Sequence, residues 1–350
     1  MKQPKVHIVL LNWNGWQDTL ECLESVLRQD YPDYQVIVCD NASGDGSLEK
    51  IELWCRGELE APVGPESPLK HLSAPSVSKP VSYVRLTRED AENPDAPPVN
   101  HPLVLIETGG NLGFAGGNNV GFRYLLNQRN SDYVWVLNND TVVEPDALKA
   151  MVETLETGSA KGQPGTCGSL VCFYDDPEIV QALGGPEFNP RSCIASQTLG
   201  RFLRRDEPVD HAAYARRMDY ITGCSWLLPV QFLHDVGLME EGYFLYYEEI
   251  DWVTRAGDRY THTYAPDSVI YHKEGSSVGS KTMNRGPSQL AEFYMARSRL
   301  AFCRKFYPKN LPYLYLTLVL QAVNRVRQGH FKNARLLLQV ARGKRDFKPL

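Results

Sequence analysis

The chain has 350 residues, 43% hydrophobic and 23% charged, with a formal net charge of −5. This is ordinary globular composition, and the length suits one large domain or one domain plus an appendage. Eight cysteines (22, 39, 55, 167, 172, 193, 224 and 303) lie scattered without CxxC spacing, which argues against a disulfide scaffold and for a reducing cytosol. The net charge hides an asymmetry. From Ala291 to Leu350 thirteen Lys and Arg stand against Glu292 and Asp346, a balance of +11, so the first 290 residues carry −16. A basic tail interleaved with Phe, Tyr and Leu suits an anionic membrane surface or nucleic acid, or simply cations that face water. No signal peptide is expected, because the apolar run Val6–Leu11 is short and meets polar Asn12-Trp13-Asn14. Leu311–Val323 is the longest membrane-like run, at 13 residues with Gln321 inside it; a bilayer span needs about 20.

Val6–Leu11 reads as a buried strand, followed by a helix over Thr19–Leu27 with Asp18 as its cap. Gln35–Cys39 is a second strand running into Asp40-Asn41, and Ser47 is placed to cap a helix over Leu48–Cys55. Strand and helix alternating at this spacing predict a parallel, doubly wound sheet. Residues 56–102 hold nine prolines and only Val81–Leu86 looks strand-like, so this stretch is expected to be a peripheral insertion. Leu103–Thr108 resumes the sheet and enters a Gly-rich stretch, Gly109–Asn119, with a helix expected over Asn118–Leu126. Such a stretch suits either backbone approach to phosphate or a tight structural turn.

Tyr133-Val134-Trp135-Val136-Leu137 is a strand apolar enough to be buried on both faces, and it stops at Asn138-Asn139-Asp140-Thr141. A helix is expected over Pro145–Leu155. In an open α/β sheet ligands bind outside the carboxyl ends of the strands, so Asn12, Asp40 and Asp140 share one rim. Asp140 is thereby a candidate for a metal or phosphate-handling site. Gly168–Phe173 is a further strand, Pro177–Pro208 is irregular, and Asp219–Pro229 is a strand interrupted by Gly223. In Tyr243–Trp252 (YFLYYEEIDW), Glu248, Glu249 and Asp251 follow an aromatic run. Desolvation and like-charge neighbours raise a carboxyl's pKa and make it a usable general base, with Arg255 near enough to offset part of the charge. Ser268–His272 is a strand ending in a histidine that, taken alone, reads as structural. Beyond Gln289, Leu290–Phe306 and Leu311–Leu338 look helical.

In order, VLLNWNG (Val9–Gly15), VIVCDNASGDGS (Val36–Ser47), GGNLGFAGGNNVGF (Gly109–Phe122), YVWVLNNDTVVEPDAL (Tyr133–Leu148) and FLYYEEIDWVTRA (Phe244–Ala256) resemble the family 2 glycosyltransferases, and within them the rhamnosyltransferase-like bacterial branch. The resemblance covers about residues 5–275. It implies a GT-A fold: an α/β, doubly wound, mostly parallel sheet over residues 1–289, with 56–102 inserted and a basic helical region at 290–350. It implies an inverting transfer from a nucleotide-diphospho-sugar, dTDP-rhamnose-like or a UDP-sugar, to a hydroxyl of a glycan or lipid-linked acceptor. The donor set would be Asn12, Asn14, Asp40, Asn41, Asn111, Gly113, Asn118, Asn138 and Asn139, with Asp40 on the nucleotide base. The family's DxD appears as Asn138-Asn139-Asp140, whose carboxylate would hold Mg²⁺ or Mn²⁺ together with His272. Asn138 stands where many relatives carry Asp.

The family's acidic block places the catalytic base at Glu249, which is Glu where Asp is usual, so Glu248 and Asp251 stay open as alternatives. Gly223, Trp226 and Arg255 are candidates for the acceptor pocket, Trp226 by stacking on a sugar face. Residues 290–350 would make peripheral contact with an anionic membrane, on the inner face of the plasma membrane, in polysaccharide or cell-envelope biosynthesis. No nucleic-acid partner is expected. The competing classes are a nucleotide-sugar-binding protein without turnover and a nucleotidyltransferase. The latter should carry an early Gly-rich loop with basic residues, which VLLNWNGWQD lacks.

Overall fold

The computed structural model describes residues 3–159, 162, 164–273 and 288–347. The chain opens as expected with β1 (Val6–Asn12), α1 (Trp16–Val26), β2 (Tyr34–Asp40) and α2 (Ser47–Arg56). The caps differ from expectation. Gly15 and left-handed Gly46 start the two helices without a side-chain cap, Asp18 lies inside α1, and the Ser47 hydroxyl turns back to Asp45. α3 (Lys70–Ser73), β3 (Tyr83–Thr87) and α4 (Arg88–Glu92) follow, then β4 (Leu103–Glu107) and α5 (Gly113–Gln128). β3 pairs in register with β4, so the Pro-rich stretch supplies the sheet's edge strand, and Leu69 and Leu72 enter the core.

α5 begins five residues before the expected start, and its glycines are packing residues. A Cβ on Gly117 would come within 2.3 Å of Leu11 Cδ1, and one on Gly121 within 2.9 Å of Val9 and 3.0 Å of Cys39. The helix therefore lies directly on β1 and β2.

β5 (Tyr133–Asn138) is followed by a short strand absent from the sequence reading, β6 (Thr141–Val143), and by α6 (Ala147–Ser159). The second half holds β7 (Gly165–Phe173), β8 (Val180–Leu183), β9 (Pro186–Asn189), β10 (Ile194–Thr198) and α7 (His211–Arg217). Then come β11 (Ser225–Pro229), α8 (Val230–Val236), α9 (Glu248–Ala256) and β12 (Thr261–His272). The sheet order is β3-β4-β2-β1-β5-β11-β7-β12-β6, with β8 paired to β7. β3, β4, β2, β1 and β5 are mutually parallel; β11 pairs antiparallel with both β5 and β7, and β6 antiparallel with β12.

Alternate residues of the parallel strands face two apolar layers. Ile8 and Leu10 join the core under α1, α2 and α6, whereas Val9, Ile37 and Val104 join the core under α5. α10 (Gln289–Phe306), α11 (Leu311–Arg327) and α12 (Phe331–Ala341) form a third cluster together with Tyr243, Tyr247 and Ile250. The single helix expected over Leu311–Leu338 breaks at Gly329, whose φ is +78°. The boundary expected at 289/290 adjoins 274–287, which lie outside the described residues. No helix among the described residues is long and apolar enough to cross a membrane. All eight cysteines are buried and free.

Candidate active site

The parallel register sets the rim. Asn12 pairs with Asp40 across β1 and β2, and Leu11 with Asn138 across β1 and β5, so the carboxyl ends of all three strands meet. Asn12 is fully buried. Its Nδ2 donates to Asp40 Oδ1 at 2.7 Å and to Ser43 Oγ at 3.1 Å, while its Oδ1 accepts from Thr19 at 2.9 Å. Asp40 Oδ2 accepts from the Ser43 amide at 3.0 Å. Asn139 donates inward to Thr19 at 2.9 Å. Asn14, at φ 51°, is exposed and accepts from the Gly44 amide. Asn138 is partly exposed at the end of β5.

A second group ties β2 to the loop before α5. Asn41 Nδ2 donates to Asn111 Oδ1 and to the Gly113 carbonyl, both at 3.1 Å, while its Oδ1 accepts from Thr108 and the Leu112 amide. This buried amide is spent on the fold and offers a ligand little; that corrects its place in the donor set. Asn118 donates to the Phe114 carbonyl within α5, and its buried Oδ1 has no partner among the described residues. Gly113 has φ +73°, and a Cβ there would lie 2.2 Å from the Phe244 carbonyl oxygen.

Asp140 and His272 converge from β5–β6 and the end of β12. His272 Nε2 lies 3.2 Å from Asp140 Oδ1, and Nδ1 is 2.8 Å from Gln181 Oε1. Gln181 Oε1 accepts the Nδ1 proton, so Nε2 is the nitrogen that faces Asp140, as an N–H donor when the ring is protonated. Burial works against the charged form of Asp140, but His272 and Lys273 more than offset it and hold the carboxyl below its usual range. Lys273 is itself clamped by Asp18 and Glu21, each at 2.6 Å, which pins the end of β12 to α1. Gln181 and this clamp were missed in the sequence, where nothing marks a lone Gln or Lys so far from its partners. Among the described residues no group of three or more His, Cys, Asp or Glu could hold a metal ion.

The acidic block sorts into three roles. Asp251 is fully buried and saturated, bound by Tyr243 Oη at 2.9 Å, Arg255 Nε at 2.6 Å and Lys305 Nζ at 2.7 Å. That excludes it as a base in this arrangement. Glu248 is buried with Oε1 unpartnered among the described residues, and burial together with the Glu249 charge raises its pKa well above 4.5. Glu249 is partly exposed, and burial raises its pKa too. Its Oε1 occupies space that a Cβ on Gly223 would need, at 2.0 Å. Gly223 thus makes room for this carboxylate. Arg255 holds Asp251 and the Val236 and Leu238 carbonyls, and Trp226 is fully buried, edge-on to Trp252 at 5.2 Å. Trp226 is thereby a core side chain and Arg255 a clamp between α9 and the end of α8, which corrects both expectations. The two halves of the site meet at Cys224, whose thiol is pushed up to about 12 by burial, with the charges of Asp140 and Glu249 adding to it.

Residues 7–61 and 92–178 match the family model described as glycosyl transferase family 2, and the gap falls inside the Pro-rich stretch. The chain is 26% identical over 166 residues to the low-salt glycan biosynthesis hexosyltransferase Agl10 of Haloferax volcanii, a match covering 43% of this chain and 45% of that protein. It thus spans less than half the length of that relative. It is also 26% identical over 208 residues to the rhamnosyltransferase WbbL of Escherichia coli K12, covering 57% of this chain and 76% of that one. Among solved structures, GalNAc-T7 with UDP, GalNAc and Mn²⁺ aligns at a TM-score of 0.52 and 14% identity, over 89% of this chain and 50% of that one. That likeness is one of fold, and the fold is GT-A.

Proposed function

We propose that this chain is a member of glycosyl transferase family 2, whose model it matches over residues 7–61 and 92–178, and that it moves a sugar from a nucleotide-diphospho-sugar to a hydroxyl of a glycan or lipid-linked acceptor, inverting the anomeric centre. The reading rests above all on one observation: the Asn138 amide donates to the Cys224 carbonyl at 3.0 Å, which brings the chain that leads to the Asp140–His272 pair beside Gly223, whose missing Cβ makes room for the Glu249 carboxylate. A carboxylate oxygen of Asp140 and an imidazole nitrogen of His272, its ring oriented by Gln181, would suit Mg²⁺ or Mn²⁺. Bound there, the ion supplies Lewis-acid neutralisation of the leaving diphosphate. Asp40, oriented by Asn12 and Ser43, receives the nucleotide base, and the exposed Asn14 and Asn138 flank it.

Glu249 takes the proton of the acceptor hydroxyl as its oxygen bonds to the anomeric carbon and the bond to the diphosphate breaks. The carboxyl's raised pKa makes it a stronger base than a solvated glutamate. One base and one displacement give inversion. Beside it the buried Glu248 favours its protonated form, because burial and the Glu249 charge both raise its pKa. We read the donor as a dTDP-rhamnose-like or UDP-sugar, a reading supported by the likeness to a protein named as a rhamnosyltransferase.

The test is a thermal-shift panel of UDP-, dTDP-, GDP- and CDP-sugars, with Mn²⁺ and with chelator, followed by transfer to acceptor and NMR of the product anomer. A metal-dependent shift for one nucleotide, lost in Asp140→Ala, with inverted product is the expected result. Binding without transfer to any acceptor would favour a nucleotide-sugar-binding protein. Formation of nucleotide-sugar from sugar phosphate would favour a nucleotidyltransferase.

A further inference from the structure

The C-terminal helices carry a surface that the catalytic reading does not use. α11 buries Leu314, Leu318 and Ala322, four residues apart, inside the helical cluster. Its other side bears Tyr313, Leu316, Val319, Leu320, Val323 and Val326, each 40–58% exposed. No charged residue occurs from Leu311 to Asn324. A helix apolar on both faces needs a second apolar neighbour.

Charge lies beside this stripe. Between Arg304 and Arg345 there are ten Lys and Arg and no carboxylate. Arg325 is spent on buried Glu292, and Lys305 on Glu240 and Asp251. Lys309, Arg327, Lys332, Arg335 and Arg342 are exposed and make no ion pair among the described residues. The outward face of α12 alternates Phe331 and Leu338 with Lys332 and Arg335. Between α10 and α12 a cavity of about 730 Å³ is walled by Arg297, Arg304, Lys344 and Arg345.

We propose that α11 and α12 dock on an anionic bilayer surface, with the α11 stripe entering the acyl boundary and the flanking cations meeting lipid phosphates. Charge decides between occupants. A second copy of the chain would use the same patch on both sides, setting cations against cations with no carboxylate to answer them. A soluble polyanion would leave the stripe in water. An anionic membrane satisfies both features. α11 is also about 25 Å long, as its 17 residues dictate, and lies along the surface rather than across it. α10 carries the position of the bilayer to the site. Lys305 Nζ binds Asp251 on α9, and Ser298 Oγ donates to the Leu245 carbonyl at 2.9 Å. The inference does not depend on the transferase reading.

The experiment is co-sedimentation of the full chain with vesicles of phosphatidylcholine alone and with about 30% phosphatidylglycerol, at about 0.1 M and 0.5 M salt. Binding is expected on the anionic vesicles, at least about 10-fold weaker on the neutral ones and weaker at high salt. Each cation near an anionic leaflet multiplies binding about fivefold, so Lys332→Glu with Arg335→Glu should lose about 25-fold or more. Leu316→Asp with Leu320→Asp, both exposed, should lose at least about 10-fold while circular dichroism and melting stay unchanged. Absence of wild-type binding would overturn the proposal, as would binding indifferent to both pairs of substitutions. A dimer in sedimentation velocity that dissociates with the Leu316/Leu320 pair would give the stripe to a second copy instead.

Discussion

Replacing Gly223 by alanine separates the placement of Glu249 from its chemistry. The new Cβ would stand 2.0 Å from Glu249 Oε1, 2.9 Å from Cδ and 3.1 Å from Cγ, where ordinary contact begins at 3.4 Å. Oε1 must therefore retreat by about 1.4 Å, and a reacting group misplaced by about 1 Å costs on the order of 100-fold in rate. That corresponds to about 2.7 kcal/mol of barrier. Gly223 is not among the positive-φ glycines, so its backbone accepts alanine and the side chain opposite is what yields. The assay is initial rates over acceptor concentration at saturating donor, with a melting curve for each variant. The expected result is kcat lower by about 100-fold, little change in Tm, and a Gly223→Ala/Glu249→Gln double variant no slower than Glu249→Gln alone, since both act through one carboxylate. If Gly223→Ala kept about half of wild-type kcat, or if the two losses multiplied, Glu249 would not be the group that takes the proton.

Glu248 makes a prediction about pH. Its folded pKa is raised, so the stability tied to its protonated form is complete below the ordinary value of 4.5 and drains away as pH rises through the folded value. Glu248→Gln should thus melt higher than wild type at pH 8, with the gap closing below about pH 4.5 and most activity retained; a gap independent of pH would contradict the burial argument. Gln181→Leu should weaken Mn²⁺ activation about 10- to 100-fold by releasing the His272 tautomer, read as the half-saturating metal concentration, whereas Asp140→Asn should remove the activation. An unchanged half-saturation in Gln181→Leu would leave that residue with a packing role only. Trp226→Ala should cost about 3–5 kcal/mol in urea unfolding with acceptor KM unaltered in the folded fraction; a raised KM at unchanged stability would return Trp226 to the acceptor pocket.

The parallel half of the sheet was legible because its strands are buried on both faces. Runs such as VHIVLL and YVWVL have no other use, and the polar residues that end them fall on the rim where ligands bind. Legibility faded where pairing is antiparallel and short. β6 has three residues, and its partner β12 shifts register against its other neighbour, the parallel β7, between Ala265 and Val269, so neither shows a clean alternation. The Gly-rich stretch left two readings open for a physical reason. Glycines that open a phosphate loop and glycines that let a helix lie against a strand look alike in sequence, and only the contacts of Gly117 with Leu11 and of Gly121 with Val9 tell them apart. Likewise, Asp251 and Glu249 sit two residues apart in one acidic block. What distinguishes them is Arg255 together with Lys305, the latter more than fifty residues later, which neutralise the first and leave the second.

That last contact shows how Glu249 is held. Phe244, Tyr246 and Tyr247 precede α9 with φ of 68°, 67° and 78°, conformations that bulky side chains adopt only when surroundings enforce them. Three separate elements do so. The Phe114 amide donates to the Phe244 carbonyl at 2.7 Å, an approach that glycine at 113 alone permits. Tyr247 Oη donates to the Cys193 carbonyl before β10, and Ser298 on α10 donates to the Tyr243 and Leu245 carbonyls. The first of these belongs to the turn that Asn41 pins beside Asp40, so the Asp40 side of the rim and the start of the acidic helix share one backbone junction. The third belongs to the C-terminal helices. A strained arc fixed at both ends transmits displacement better than a relaxed loop, because it has few alternative conformations to absorb it. The geometry of Glu249 is thus a joint property of the rim before it and the helices after it, and neither segment folded alone would place that carboxylate over Gly223.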